Sequence, residues 1–183
     1  MQEIIRRAQR GDQQAFQVLL ETYHTVALRT ANVFVADRTM AEDIVQEAWL
    51  DVWKALPRFQ RERPFRPWLL TIVANRCRKV LRQKGPLTVS IDISEIEMLI
   101  DPDDMELHIS QMEQAQRLRH LLAQLPAEQQ HILQLRYFAQ LELAEIALII
   151  EVPLGTVKSR LHRSQQALRT LVQTQEILLE QKK

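Results

Sequence analysis

Glycine and cysteine are scarce in this chain. Three glycines and seven prolines among 183 residues argue against a turn-rich β-protein, and alternating strand patterns are nearly absent. The single cysteine, Cys77, cannot form an internal disulfide and fits a reducing compartment. No apolar run approaches the roughly 20 residues of a membrane span, and the polar first residues resemble no signal peptide. These absences predict a soluble, all-α, cytoplasmic protein.

The net charge of +1 conceals a strong segregation of charge along the chain. Residues 57–85 carry nine basic and one acidic side chains, whereas residues 86–113 carry eight acidic and no basic ones. Residues 154–183 are again basic, with six basic and two acidic side chains. Basic blocks suit phosphate binding, because neutralised phosphates release counterions. The acidic segment between them would be repelled by DNA.

Two helical patterns with a break of about three residues occupy 141–172. Their apolar positions are Leu143, Ile146, Ala147 and Ile150, then Val157, Leu161, Leu168 and Val172. Pro153 suits the first position of the second helix. On that helix one exposed stripe holds Thr156, Ser159, Arg160 and Arg163. The pattern predicts a helix-turn-helix whose second helix enters the DNA major groove; the alternative is an ordinary helical hairpin with a solvated basic face.

The N-terminal part contains three helical patterns. A short helix at 2–10 ends at Gly11, Asp12 caps the next helix, and that helix runs from about 13 to 35. Thr39 and Glu42 fit a capping box for a helix reaching about Leu56. The outer stripe of this last helix consists of Asp43, Gln46, Glu47 and Leu50. Spacing alone favours a solvated face there, and Trp49 and Trp53 are expected to pack at the core or the domain edge.

Arginines alternate with aromatic residues from Pro57 to Trp68. The set comprises Arg58, Phe59, Arg61, Arg63, Phe65, Arg66 and Trp68. Aromatic faces can stack with bases while arginines hold a single strand; alternatively, the rings pin the loop to the core. A helix is expected from Pro67 or Trp68 to Gly85, with inward-facing Arg76 pairing or reaching the rim. Its outer stripe holds Asn75, Arg78, Lys79 and Arg82, which suit base-edge and phosphate contacts.

Read together, these segments resemble the sigma-70 family of bacterial transcription initiation factors, and its extracytoplasmic-function (ECF) group in particular. AEDIVQEAWLDVWKAL is similar to region 2.2, and FRPWLLTIVANRCRKVLR to regions 2.3 and 2.4. LPAEQQHILQLRY, LAEIA and GTVKSRLHRS resemble region 4. The resemblance implies an all-α fold of two small helical domains joined by an acidic linker. The expected divisions are region 2 at 1–85, the linker at 86–112 and region 4 at 113–183.

The resemblance also implies roles for the exposed residues. Asp43, Gln46, Glu47 and Leu50 would bind the clamp helices of core RNA polymerase, in place of the solvated face. The melted non-template strand of the minus-ten element would be held by Arg58, Phe59, Arg61, Arg63, Phe65, Trp68, Asn75, Arg78, Lys79 and Arg82. Duplex DNA of the minus-thirty-five element would be read by Thr156, Lys158, Ser159, Arg160 and Arg163. The polymerase flap and an anti-sigma factor are further implied partners.

Three positions depart from the family pattern. Lys79 stands where many members carry Asp, the loop 58–66 lacks a glycine often found there, and Glu151 replaces the usual glycine of the hairpin turn. If the backbone at Glu151 is left-handed, the residue costs about 1 kcal/mol relative to glycine.

A self-sufficient helix-turn-helix regulator is the competing interpretation, since such proteins also read duplex DNA. A nucleic-acid enzyme is disfavoured. The five histidines show no metal-ligand spacing with Cys77, and no glycine loop could cradle a phosphate. We therefore expect no catalysis, no cofactor and no metal.

Overall fold

The computed structural model describes residues 1–35, 37–84, 116–118 and 120–180, and the regular secondary structure within these ranges is helical throughout. The helices are α1 (Gln2–Gln9), α2 (Gln13–Val35), α3 (Arg38–Ala55), α4 (Phe65–Lys84), α5 (Ala127–Leu133), α6 (Leu143–Ile149) and α7 (Leu154–Glu180). They form two helical domains, which confirms the predicted fold class. The predicted linker at 86–112 lies outside the described residues. Across the described helices, none combines the length and apolarity that crossing a membrane requires.

Helices α1 to α4 form the first domain around the apolar faces of α2, α3 and α4. Fully buried side chains include Leu19, Ala27, Val45, Val52, Leu69 and Val73. The junction of α1 and α2 is as predicted: Gly11 has φ +87°, and Asp12 Oδ1 accepts a hydrogen bond from the Ala15 backbone N–H at 3.0 Å. Glycine adopts this left-handed backbone at low cost, which lets the chain reverse between the helices.

Helix α3 has a different N-cap from the one predicted. Asp37 caps it, accepting a hydrogen bond from the Met40 backbone N–H at 2.9 Å. Thr39 lies inside the helix, and Glu42 pairs with Arg38 at 3.0 Å rather than reaching back. The predicted capping box was therefore wrong. Aspartate caps at least as well as threonine, and capping at Asp37 allows the helix to begin two residues earlier.

The segment between α3 and α4 begins with a 3₁₀ turn at Leu56–Arg58. The Gln9 amide of α1 donates to the Leu56 and Phe59 carbonyls at 3.1 and 2.8 Å, which ties this loop to the domain. Helix α4 then starts at Phe65, ahead of the predicted Pro67. Pro67 is accommodated because the first helical turn does not require its missing N–H.

The second domain contains α5, a π-helical turn at Gln134–Phe138, and the helices α6 and α7. Ile146, Val157 and Leu161, which the periodicity placed inward, are buried, as are Ile132 and Leu135. The other predicted inward positions are partly buried, namely Leu143, Ala147, Ile150, Leu168 and Val172. The Pro153 carbonyl accepts hydrogen bonds from the Thr156 and Val157 backbone N–H groups at 2.9 and 3.1 Å. Pro153 is therefore the residue before the helix, and α7 begins at Leu154, one residue later than predicted. Two helices joined by a tight turn confirm the helix-turn-helix.

The turn between α6 and α7 has a left-handed backbone at Glu151, whose φ is +58°, so the condition for backbone strain at this residue is met. The Glu151 carboxylate lies 3.0 Å from the Arg78 guanidinium of α4, yet 70% of the side chain remains exposed. An ion pair this exposed contributes little stability. The strain of a side chain at this φ therefore outweighs the ion pair.

We expect Glu151→Gly to raise the free energy of unfolding by about 1 kcal/mol, because glycine adopts this φ at little cost. Glu151→Ala is the matched control, since it removes the same ion pair but keeps the Cβ. Urea denaturation of the three chains measures the difference. If glycine is no more stable than alanine, backbone strain at Glu151 is absent.

The two domains contact each other in this structure. Arg66 donates to the Gln140 carbonyl at 3.0 Å and lies 3.4 Å from the Glu145 carboxylate. The rings of Phe34 and His131 meet edge to face across the junction, with centroids 4.8 Å apart. Burial lowers the pKa of His131 to about 4, and the nearby Arg78 charge adds to this effect.

Acid is therefore expected to destabilise the packed chain through His131. The unfolded chain takes up a proton on this imidazole near pH 6.5, whereas the folded chain resists protonation until about pH 4. Neutral His131 therefore adds to the free energy of unfolding above about pH 6.5. This addition falls by on the order of 1–2 kcal/mol by pH 5. The urea midpoint should decrease more from pH 7 to pH 5 for the natural chain than for His131→Gln. Equal slopes would show that His131 does not resist protonation.

Candidate functional site

The outer face of α3 is exposed and acidic. Asp43, Gln46 and Glu47 face solvent, and Leu50 leaves 60% of its side chain exposed at the same face. The opposite face, with Ile44, Val45 and Ala48, is buried. The structure therefore brings together all four residues predicted for this stripe. An accessible leucine among acids suits a basic, amphipathic protein partner more than it suits DNA.

Arg76 of α4 extends across to α3. Its Nε lies 2.5 Å from Asp51 Oδ2 and its Nη1 lies 2.5 Å from Glu47 Oε2. The hydrogen bond from Arg76 lowers the pKa of Asp51, and the bond to Asp51 raises the pKa of Arg76. Arg76 thus pairs, as its inward-facing position required. Asp51 was not singled out in the sequence, although it lies one helical turn after Glu47.

The loop between α3 and α4 is basic at its surface and aromatic beneath. Arg58, Arg61 and Arg63 are exposed, whereas Phe59 and Phe65 are only 7% and 4% exposed. Both phenylalanine rings pack against the half-buried Trp68, with centroids 4.6 and 5.5 Å from its ring. Of the two possibilities that the sequence left open for Phe59 and Phe65, this structure shows the rings pinned to the core. They hold the loop on the core, because burying an aromatic ring stabilises the fold more than exposing it to water.

Helix α4 carries the other basic residues predicted for nucleic acid. Asn75, Lys79 and Arg82 are exposed. Arg78 Nη1 donates to Asn75 Oδ1 at 2.7 Å, and the same guanidinium contacts Glu151 and the Ile149 carbonyl of the second domain. The outer face of α4 is therefore basic, but the Arg78 guanidinium already contacts acceptors of the second domain.

The second helix of the helix-turn-helix, α7, presents its polar stripe as predicted. Lys158, Ser159 and Arg163 are exposed, and Thr156 and Arg160 are partly covered. Arg160 pairs with Glu128 of α5. Glu128 carried no signal in the sequence, because its partner lies on another helix. These side chains share one basic, hydrogen-bonding face of α7, and the DNA major groove admits an α-helix.

A catalytic or metal centre is not evident in the part of the chain that the structure describes. No three His, Cys, Asp or Glu residues there lie close enough to hold a metal ion. Cys77 is fully buried, and burial raises the pKa of its thiol to about 12. That thiol is neutral and inaccessible at ordinary pH, which fits a packing role.

Comparison with known proteins places both domains. Residues 19–86 match the family Sigma-70 region 2, and residues 115–168 match Sigma-70, region 4. The chain is 30% identical over 175 residues to the RNA polymerase sigma-H factor of Pseudomonas aeruginosa, covering 91% of both chains. It is 29% identical over 183 residues to the ECF RNA polymerase sigma-E factor of Escherichia coli, covering 94% of both.

Solved structures show a similar fold. CnrH, in complex with the cytosolic domain of CnrY, superposes with a TM-score of 0.67 at 22% identity, covering 94% of this chain and 97% of that one. The sigma factor RpoE of Bartonella quintana, in complex with the anti-sigma factor NepR, gives a TM-score of 0.56 at 23% identity, covering 86% and 98%. With this fold, two matched regions and a 30% identical relative along most of its length, the chain belongs to the sigma-70 family, in its extracytoplasmic-function group.

Proposed function

We propose that this chain acts as a dissociable promoter-specificity subunit, with separate surfaces for core RNA polymerase, the minus-ten element and the minus-thirty-five element. The observation that carries this proposal is the exposed acidic stripe of α3, with Leu50 at its C-terminal end. Such a face repels DNA, and its exposed leucine suits a protein partner. A self-sufficient regulator would have no use for it, and family membership disfavours that alternative as well.

The clamp helices of the largest polymerase subunit are the partner we assign to Asp43, Gln46, Glu47 and Leu50. Carboxylates placed around an apolar contact favour a basic helix and discriminate against acidic ones. The second domain, with residues 113–183 as its proposed extent, would bind the flap of the second-largest subunit. Residues 1–85 and 86–112 are the proposed extents of the first domain and the acidic linker.

The minus-ten element would bind along the loop and α4 of the first domain. Exposed Arg58, Arg61, Arg63, Lys79 and Arg82 would hold phosphates, and Asn75 could read a base edge. Trp68 is the aromatic residue with ring surface left for stacking, since Phe59 and Phe65 are buried beneath it. We therefore assign the two phenylalanines a supporting role.

Strand capture by Arg78 requires a change in the arrangement of the domains. Glu151 and the Ile149 carbonyl occupy its guanidinium, in the way that phosphate oxygens would. A nucleic acid strand must replace these acceptors, so the contact between the domains has to open. The ion pair is exposed and hence weak, so binding to polymerase and promoter could offset its loss.

The minus-thirty-five element would be read by α7. Thr156, Lys158, Ser159, Arg160 and Arg163 share its outer face, and a helix in the major groove places such residues at base edges and phosphates. Neither surface performs chemistry, so initiation is catalysed by the polymerase. The proposal places the chain in the cytoplasm with that enzyme, and family membership supports an anti-sigma factor as its regulator.

In vitro transcription tests the proposed function directly. Core polymerase is supplied with a promoter library, with and without this chain, and transcripts are sequenced. We expect discrete start sites that depend on the chain and share sequences near minus ten and minus thirty-five. Binding to a duplex site without polymerase, together with no dependent transcript, would instead indicate a self-sufficient regulator.

A further inference from the structure

Three carboxylates follow one another at four-residue intervals along α3. Asp43, Glu47 and Asp51 therefore lie on the same side of the helix, one turn apart. Asp51 was not part of the proposed polymerase-binding stripe, but Arg76 joins it to Glu47 through two contacts of 2.5 Å. The stripe is thus connected to α4, the helix that carries the minus-ten residues.

The two carboxylates held by Arg76 are not equivalent. Asp51 and Arg76 are the more sheltered pair, with 35% and 24% of their side chains exposed, against 57% for Glu47. The bond to Asp51 is the largest cause of the raised pKa of Arg76. Asp51 therefore anchors the guanidinium, and the guanidinium in turn holds Glu47.

Glu47 keeps binding capacity while it is held. Arg76 contacts Oε2, and an ionised carboxylate has lone pairs on two oxygens. The second oxygen can accept a hydrogen bond from a lysine or arginine of a partner. A free glutamate loses rotamer freedom when it is bound, but a glutamate already fixed by Arg76 loses less.

We propose that Arg76, anchored by Asp51, is a positioning residue for core-polymerase binding, because it fixes the Glu47 carboxylate toward the clamp. This inference rests on the proposed role of Glu47 in that binding. Arg76 itself does not contact the polymerase. Its effect is expected only while the Glu47 carboxylate is present, and this separates positioning from a purely structural link between α3 and α4.

A double-mutant cycle on the full chain tests the proposal. The natural chain, Arg76→Lys, Glu47→Ala and the double variant are each titrated against core polymerase, with urea denaturation in parallel. Lysine preserves the charge but cannot reach Glu47 and Asp51 from two nitrogens at once. Arg10→Lys, the same conservative change at an exposed position directly after α1 that has no proposed binding role, is the matched control.

Arg76→Lys is expected to weaken core binding roughly three- to tenfold in the natural background and to have no further effect on Glu47→Ala. Arg10→Lys should leave core affinity unchanged. If Arg76→Lys weakens binding equally in both backgrounds, or has no effect in the natural one, the positioning role is refuted. If Glu47→Ala alone binds core normally, the proposed polymerase-binding stripe fails as well, which distinguishes the two failures.

Discussion

Glu47→Lys is expected to lower the affinity for core RNA polymerase by roughly 10- to 100-fold. The substitution reverses one charge at the centre of the acidic stripe, where Glu47 is exposed. It also places a second cation beside Arg76, which loses its contact with Glu47. Both effects oppose binding of a basic helix. Titration of labelled chain with core polymerase at two salt concentrations measures the change.

Glu21→Lys provides the control for this variant. Glu21 is exposed on α2, where it accepts a hydrogen bond from Gln17 at 2.8 Å. Glu21→Lys changes the net charge by the same amount as Glu47→Lys. We expect its core affinity to stay within about twofold of the natural chain. Equal losses in both variants would reveal a general effect of net charge. Unchanged affinity for Glu47→Lys would return the stripe to the solvated face that spacing alone favoured.

Arg160→Ala combined with Arg163→Ala is expected to weaken promoters that depend on the upstream element by on the order of 30-fold or more. Each guanidinium would contact a base edge or a phosphate of the duplex, and each such loss costs about 1–3 kcal/mol. Core affinity should be retained, since the stripe of α3 is untouched. Transcription from matched promoters with and without the upstream element measures the effect.

Arg169→Ala is the control on the same helix. Arg169 is exposed, and it lies nine residues after Arg160, which places it on the opposite side of α7. Its loss should leave upstream-element dependence intact. A loss equal to that of the double variant would contradict the assigned face. A drop in core affinity for the double variant would contradict the separation of the two surfaces.

The helices themselves could be predicted in detail, because their signals are local. Apolar spacing placed Ile146, Val157 and Leu161 inward, where the structure buries them, and Asp12 and Gly11 marked a helix boundary correctly. The exposure of Asp43, Gln46, Glu47 and Leu50 followed from the same 3.6-residue period. Choosing between nearby signals was less certain: Asp37 and Thr39 could each cap α3, and the structure uses Asp37.

The fate of the aromatic loop could not be predicted from its composition. Arginines alternating with Phe59 and Phe65 are compatible with a stacking surface or with a loop pinned to the core. In the structure the Gln9 amide of α1 holds the Phe59 carbonyl, and the ring of Trp68 packs against both phenylalanines. Only assembly of the whole first domain brings these groups together.

The sequence by itself determined the helices and the faces that carry charge, because each depends on residues within about one or two turns. The tertiary structure decided which charges remain available. Arg76 donates a hydrogen bond to Asp51, which is 25 residues away in the sequence. Arg78 donates one to the Ile149 carbonyl, which is 71 residues away. Such pairs depend on how helices pack, and no local pattern encodes a partner that arrives from another helix or another domain.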